Sequence, residues 1–225
     1  MEQLSPEWFD ARKGKLTASR IWQIMPGKRG PYLKGRDDLM SELRDQILGD
    51  VGEEPDVPAT QRIAMDHGIQ NEGKARSMYE VVSGNLVEEV GFYLHSEING
   101  MGASPDGKLI LEDRLIEIKC PFGRRHSDLL ELKAEGLSTD DPKWVQAIDE
   151  KYRWQMCCQM ECFPGDIEGV DFVSFDPRKK PGRQIIIIPF QRNQELIDNM
   201  LDEADKFLTE LHVKVQKMEK LDGLR

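Results

Sequence analysis

Long apolar runs are missing from this chain of 225 residues. No stretch reaches the roughly 18 apolar residues that a spanning helix needs, which excludes a helical membrane protein. The opening Met1-Glu2-Gln3-Leu4-Ser5 has no signal-peptide character, so a cytoplasmic location is expected. Positive charge is in deficit: 31 Lys and Arg stand against 41 Asp and Glu, a net charge of −10. That balance argues against a protein that coats DNA through bulk charge, although basic residues can still gather in one groove. Cysteine is scarce. Cys120, Cys157, Cys158 and Cys162 include an adjacent pair and no CxxC spacing, so a zinc pattern is absent and reduced, buried thiols are expected. Repeats and low-complexity tracts are also lacking. With hydrophobic residues at 39% and charged residues at 32%, the composition is that of a soluble globular chain, of a length that suits one domain over 1–225.

What is present centres on Gly102-Ala103-Ser104-Pro105-Asp106-Gly107, followed by Glu117-Ile118-Lys119-Cys120-Pro121. Ser-Pro-Asp-Gly reads as a turn, with Pro at an early position and Gly where positive φ is needed. Lys108 to Leu111 leaves it as a short strand. Leu115 to Cys120 is a second strand that Pro121 ends. Alternation puts Leu115, Glu117 and Lys119 on one face and Ile116, Ile118 and Cys120 on a core face. The hairpin returns Asp106 beside Glu117. Two carboxylates with the Ile118 carbonyl form a hard oxygen site suited to Mg²⁺, with Mn²⁺ as a substitute. Lys119 adds a cation able to orient water or offset charge on a phosphate. Glu-x-Lys alone is common; its placement after an Asp-bearing turn narrows the choice.

These residues resemble the Asp…Glu-x-Lys core of the restriction-endonuclease-like, or PD-(D/E)xK, nucleases. Ala-Ser-Pro-Asp-Gly and Glu-Ile-Lys-Cys-Pro are more specifically similar to the phage lambda-type alkaline exonucleases, the YqaJ-like viral recombinase branch. The resemblance runs from Trp8 to about Pro189. It implies an α/β fold, a restriction-endonuclease-like core with a mixed central sheet flanked by helices. It also implies a 5′→3′ exonuclease on double-stranded DNA ends, often a homotrimer ring. Such an enzyme leaves a 3′ strand for a recombinase or single-strand annealing protein in a bacterial host's cytoplasm. Competing readings are an endonuclease or repair nuclease of the same fold, and a non-catalytic DNA-end-binding protein.

The rest of the chain supplies further candidates. Ser5-Pro6-Glu7 opens a helix that Gly14 stops, and Thr17-Ala18-Ser19 caps a second one through Met25. An Arg fork beside a hydroxyl and a helix N-terminus suits an anion. The family resemblance assigns Arg12 and Ser19, with Thr17 beside them, to the 5′-terminal phosphate. Pro26 to Lys34 reads as a flexible basic loop, Gly35 to Leu48 as a helix, and Gly49 to Pro58 as an acidic loop. Thr60 to Val82 is expected to be a long helix with an apolar stripe of Met65, Ile69 and Tyr79. Glu72 interrupts that stripe, either paired with Arg76 or serving as a further metal ligand, the role its resemblance to the family helix implies. Gly68 and Gly73 suggest close approach of another group. Leu86 to Tyr93 and the segment up to Met101 read as strands.

Arg124, Arg125 and His126 form a basic cluster suited to phosphate, and Arg125 occupies the place of a DNA-contacting Arg in the family. Lys143 to Phe163 is expected to be one helix, with Trp144, Ile148, Tyr152, Gln155 and Gln159 on one face. Tyr152-x-x-Gln155 resembles the family segment whose Gln completes the catalytic centre; Gln155 is chosen on that alignment over Gln159. Gly169 to Asp176 and Gln184 to Pro189 read as strands. Asn193 caps an amphipathic helix over about 193–220 that packs on the body or on a neighbouring subunit.

Overall fold

The computed structural model describes residues 3–27, 30–32, 35–50 and 58–223. In chain order the elements are α1 (Pro6–Arg12), β1 (Leu16–Thr17), a 3-10 helix (Ala18–Gln23), β2 (Pro26–Gly27), β3 (Gly30–Tyr32), α2 (Gly35–Leu48) and α3 (Ala59–Ser83). There follow β4 (Val87–Glu88), β5 (Tyr93–Leu94), β6 (Met101–Ala103), β7 (Gly107–Leu109), β8 (Arg114–Lys119), α4 (Arg125–Ala134), α5 (Pro142–Ala147), α6 (Glu150–Cys162), β9 (Gly169–Phe175), β10 (Ile185–Gln191) and α7 (Gln194–Asp222). Five strands form the main sheet in the order β10-β9-β8-β7-β4; β8 and β9 run parallel and the other pairs antiparallel. A smaller sheet, β1-β6-β5, lies beside it. This is the mixed α/β architecture expected, with helices on both faces of the central strand.

Strand β8 organises the packing. Leu115 belongs to the larger core with Val170, Phe172, Ile188 and the buried faces of α6 and α7. Ile116, Ile118 and Cys120 belong to a second core with Val173, Phe175 and the α3 residues Ala75 and Tyr79. The period-2 split of the strand is therefore as expected, but both faces are covered. Glu117 is thus fully buried, at 0% exposure, beneath α6.

Local signals formed as the sequence suggests at both chain ends. The Ser5 hydroxyl accepts from the Trp8 N–H at 3.2 Å, and Asn193 Oδ1 accepts from the Leu196 N–H at 3.1 Å. Gly14, φ +67°, follows α1, and a Cβ there would sit 2.9 Å from Ile47 Cγ1. Helix α7 lies on the body of its own chain, burying Ile197, Met200, Ala204, Phe207, Leu211 and Val215. All four cysteines are free and buried. Among the described residues no helix is long and apolar enough to cross a membrane.

Several expectations need correction. Met65 and Ile69 do not pack into the core: they are 53% and 52% exposed, while Tyr79 is buried. A helix of 25 residues outruns the sheet it covers, so only its C-terminal half is buried. Nothing lies within 4 Å of a Cβ built at Gly68 or Gly73, so neither marks a close approach. Gly107 has no positive φ; it is needed because a Cβ would lie 2.3 Å from Val87 Cγ1. The segment Leu86–Tyr93 yields only the two short strands β4 and β5. Lys143–Phe163 is two helices, broken where Ile148 turns extended to bury its side chain and Asp149 starts α6. Thr17–Met25 gives a 3-10 helix, and Thr17 makes no side-chain cap. In the basic loop, Pro26–Gly27 and Gly30–Tyr32 pair as a small hairpin; positions 28, 29, 33 and 34 and the acidic segment 51–57 lie outside the described residues.

Candidate active site

The turn before β7 returns to β8 through two hydrogen bonds. The Asp106 N–H donates to the Ile116 carbonyl at 3.2 Å, and the Ile118 N–H donates to Asp106 Oδ2 at 2.6 Å. The carboxylate thereby lies against the strand that carries Glu117 and Lys119. Lys119 pairs with Glu117 Oε1. Helix α6 comes down on the same carboxylate: Gln155 Nε2 donates to Oε1 at 2.7 Å and Gln159 Nε2 to Oε2 at 2.5 Å. Both amides of the expected face, four residues apart, therefore meet Glu117. Tyr152, one turn earlier, places its ring centroid 5.0 Å from Lys119 Nζ.

Beside the buried Glu117 lies a cavity of about 960 Å³, lined by Ser19, Glu72, Asp106, Ile118, Lys119, Arg125, Tyr152 and Gln155 among others; Glu117 and Gln159 are not in its lining. The exposed Met65 and Ile69 of α3 line it too, which accounts for apolar side chains left outside the core. Glu72 accepts from Arg76 at 3.0 Å; Arg76 also pairs with Glu89 and reaches the Asp106 carbonyl at 3.4 Å. The two readings of Glu72 are thus compatible, since the ion-paired carboxylate still faces the cavity.

Burial and crowding of like charges shift the carboxyls of the site toward their neutral forms. Burial, reinforced by Glu117, raises the Asp106 carboxyl well above the usual carboxylate range. Burial also raises Glu72, against the pull of Arg76. For Lys119 burial works against the ammonium, but Glu117 and Asp106 outweigh it and hold its pKa above the ordinary lysine value. Burial pushes the Cys120 thiol up to about 12, with Glu72 and Asp106 adding to the effect, so it is unreactive at neutral pH. Among the described residues no group of three or more His, Cys, Asp or Glu side chains is placed to hold a metal ion by itself. Two carboxylates and a carbonyl, all hard oxygens, with open cavity around them, fit a small divalent ion that keeps several of its waters.

A smaller recess of about 150 Å³ opens beside the first and shares Ser19, Asp106 and Gln155 with it. Arg12 lies there, its guanidinium 4.0 Å over the Trp8 ring. Arg12 Nη1 and Trp8 Nε1 both donate to Ser104 Oγ, at 3.1 and 2.9 Å. Burial pulls the Arg12 pKa down to about 10, so it stays charged at neutral pH. The sequence places Ser104 in the Ser-Pro-Asp turn and Trp8 in the first helix but gives neither a role in the site.

Other candidates are sorted by position. Thr17 is buried, 3.3 Å from the Ser19 hydroxyl, and lines neither space. Arg125 lines the cavity and donates to Asp149 at 3.1 Å. Arg124, 88% exposed, lies 3.4 Å from Asp128 and outside the lining. His126 is no surface cation: it is fully buried, with Nδ1 2.9 Å from Ser174 Oγ and Nε2 2.7 Å from the Arg183 carbonyl.

The sequence pattern of the YqaJ-like viral recombinase domain matches residues 7–163, a span that includes every group just described around Glu117. The chain belongs to that family. The crystal structure of an alkaline exonuclease, LHK-Exo, from Laribacter hongkongensis is similar at 33% identity, covering 97% of this chain and 98% of that one with a TM-score of 0.78. LHK-Exo in complex with dAMP is similar at the same identity and TM-score, over 98% and 100% of the chains. A phage-related exonuclease from Haemophilus somnus 129PT shares the fold at 18% identity and TM-score 0.60, over 91% of this chain and 96% of that one. No curated protein sequence matches. The YqaJ-like fold thus places the β7–β8 hairpin, α3 and α6 around one cleft.

Proposed function

We propose that this chain is a divalent-metal-dependent exonuclease that hydrolyses double-stranded DNA from a 5′ end, releases mononucleotides and leaves a 3′ single strand. The observation that carries the reading is the junction of two spaces: the cavity that Asp106 and Lys119 line and the Arg12 recess share Ser19, Asp106 and Gln155. A strand end held by its phosphate in the recess would bring its neighbouring phosphodiester to the carboxylates. Membership of a viral recombinase family supports this, as does likeness to an alkaline exonuclease that binds dAMP, a deoxynucleoside monophosphate.

Asp106, Glu117 and the Ile118 carbonyl would hold Mg²⁺ or Mn²⁺, with Glu72 at hand; such an ion polarises a phosphate and lowers the pKa of bound water. Lys119, kept charged by its carboxylate neighbours, donates hydrogen bonds that orient water and offset charge at the phosphorus. Gln155 aims Glu117 from the cavity side. Arg12, with the Ser19 and Ser104 hydroxyls, binds the terminal phosphate as a fork. Arg125 at the cavity lining meets the DNA backbone, and Arg124 beyond it contributes charge.

On family likeness the reading extends to one exonuclease domain over 1–225, three chains closed into a ring, and a single-strand annealing protein or recombinase that takes the 3′ strand in a bacterial host's cytoplasm. A ring retains DNA by topology, which reconciles processive digestion with a net charge of −10.

The test is Mg²⁺-dependent digestion of linear duplexes with 5′-phosphate or 5′-hydroxyl ends, beside covalently closed circles, with Glu117→Ala in parallel. Mononucleotide release from phosphorylated linear ends, abolished by Glu117→Ala, is the expected result. Cutting of closed circles would make the protein an endonuclease. No release with either metal would leave a DNA-end-binding module.

A further inference from the structure

Helix α6 carries an amide where its own packing calls for an apolar side chain. Residues Met156, Cys157, Cys158, Met160 and Cys162 are all buried, and Gln159 in their midst has 0% exposure. Its Nε2 donates to Glu117 Oε2, yet its own Oε1 is buried with no hydrogen-bond partner. A buried carbonyl left unpaired is costly, and a methionine of the same length would avoid that cost. Turning the amide over would set its oxygen against the carboxylate, so the orphaned oxygen is what remains when the N–H₂ is reserved for Glu117.

The two oxygens of Glu117 are not equivalent. Oε1 is held by Gln155 and Lys119, both of which line the cavity. Oε2 is held by Gln159, which does not line it. The contacts on the cavity side are the ones that a bound ion or substrate would have to share. The contact on Oε2 lies behind the site and persists. We propose that Gln159 is a positioning residue: it anchors the inner oxygen of Glu117 and so sets the plane in which the outer oxygen is offered to a divalent ion. This rests on the metal-dependent reading above. Gln159 touches no substrate, so its removal should loosen the ion and slow turnover while sparing DNA binding.

The test uses the full-length protein with Gln159→Met, and Gln159→Leu as a second apolar variant. Mn²⁺ binding is read by electron paramagnetic resonance without DNA, alongside steady-state digestion of 5′-phosphorylated duplex and thermal melting in EDTA. Expected is a Mn²⁺ affinity weakened about 10- to 100-fold and a kcat lowered in the same range, as for other groups that orient a metal ligand. KM for DNA ends should hold within about twofold, and melting should fall by a few degrees with the fold intact, since the buried Glu117 Oε2 loses its donor. A folded variant with wild-type Mn²⁺ affinity and kcat overturns the role of Gln159 alone. A wild-type protein that binds no Mn²⁺ overturns the metal reading and this role with it. A kcat loss with unchanged Mn²⁺ affinity also overturns it.

Discussion

Asp106 and Ile118 are joined by a 2.6 Å hydrogen bond from the strand N–H to the carboxylate. That bond spans the hairpin and sets Asp106 beside Glu117, a like charge that is itself fully buried. Replacing Asp106 with Asn relieves the repulsion. Asp106→Asn should therefore abolish nuclease activity yet melt a few degrees higher than wild type in EDTA, the trade expected where a site is strained for function. Activity and melting measured on one preparation check it; a variant that melts lower removes the electrostatic argument.

The raised carboxyls also set a pH dependence. Where the native pKa exceeds the unfolded one, the native state holds the proton that the unfolded state has lost, so stability falls as pH rises. For Asp106 and Glu72 that loss starts above the unfolded carboxylate range near 4 and is complete once pH passes their raised native values. Metal-free melts from pH 5 to 8 should show this decline, flatter in Asp106→Asn. Saturating Mg²⁺ should reverse part of it at the upper end by binding the ionised carboxylates of the native state.

Arg12 stacks on Trp8 and donates to Ser104, a fork that Lys does not reproduce. Arg12→Lys and Arg12→Ala should both slow digestion of 5′-phosphorylated ends, by about 10- to 100-fold for the loss of hydrogen bonds to a charged group of some 1.5–3 kcal/mol. Rates on 5′-hydroxyl ends should change little. Equal losses on both ends would detach Arg12 from the terminal phosphate.

Tyr79 is a control outside the cavity lining. Its hydroxyl donates to Asp171 at 2.7 Å in the core under α3, and Arg114 holds the same carboxylate. Tyr79→Phe should cost about 1–2 kcal/mol, and melting should fall by roughly 2–4 °C per kcal/mol. The kcat should stay at the wild-type level. A large kcat loss would mean that α3 transmits strain from this core to Glu72.

What the sequence by itself determined is local. Hydroxyl and amide caps at Ser5 and Asn193, the turn bearing Asp106, and the alternation that puts Glu117 with Lys119 and opposite Ile118 all follow from backbone geometry over a few residues. The Asp106, Glu117 and Lys119 set was legible for that reason, and family likeness carried it to Arg12 and Gln155. Tertiary packing decided the rest. Gln155 and Gln159 both reach Glu117 because α6 restarts at Asp149 and crosses β8 in one particular register, which periodicity leaves open. His126 is buried and Arg125 is not because α4 packs on β9 and β10 with one face inward. Met65 and Ile69 read as core from their spacing, but the sheet ends before them and the cleft begins. Spacing along a chain specifies which side chains share a face; only the packing of one element on another specifies what that face meets.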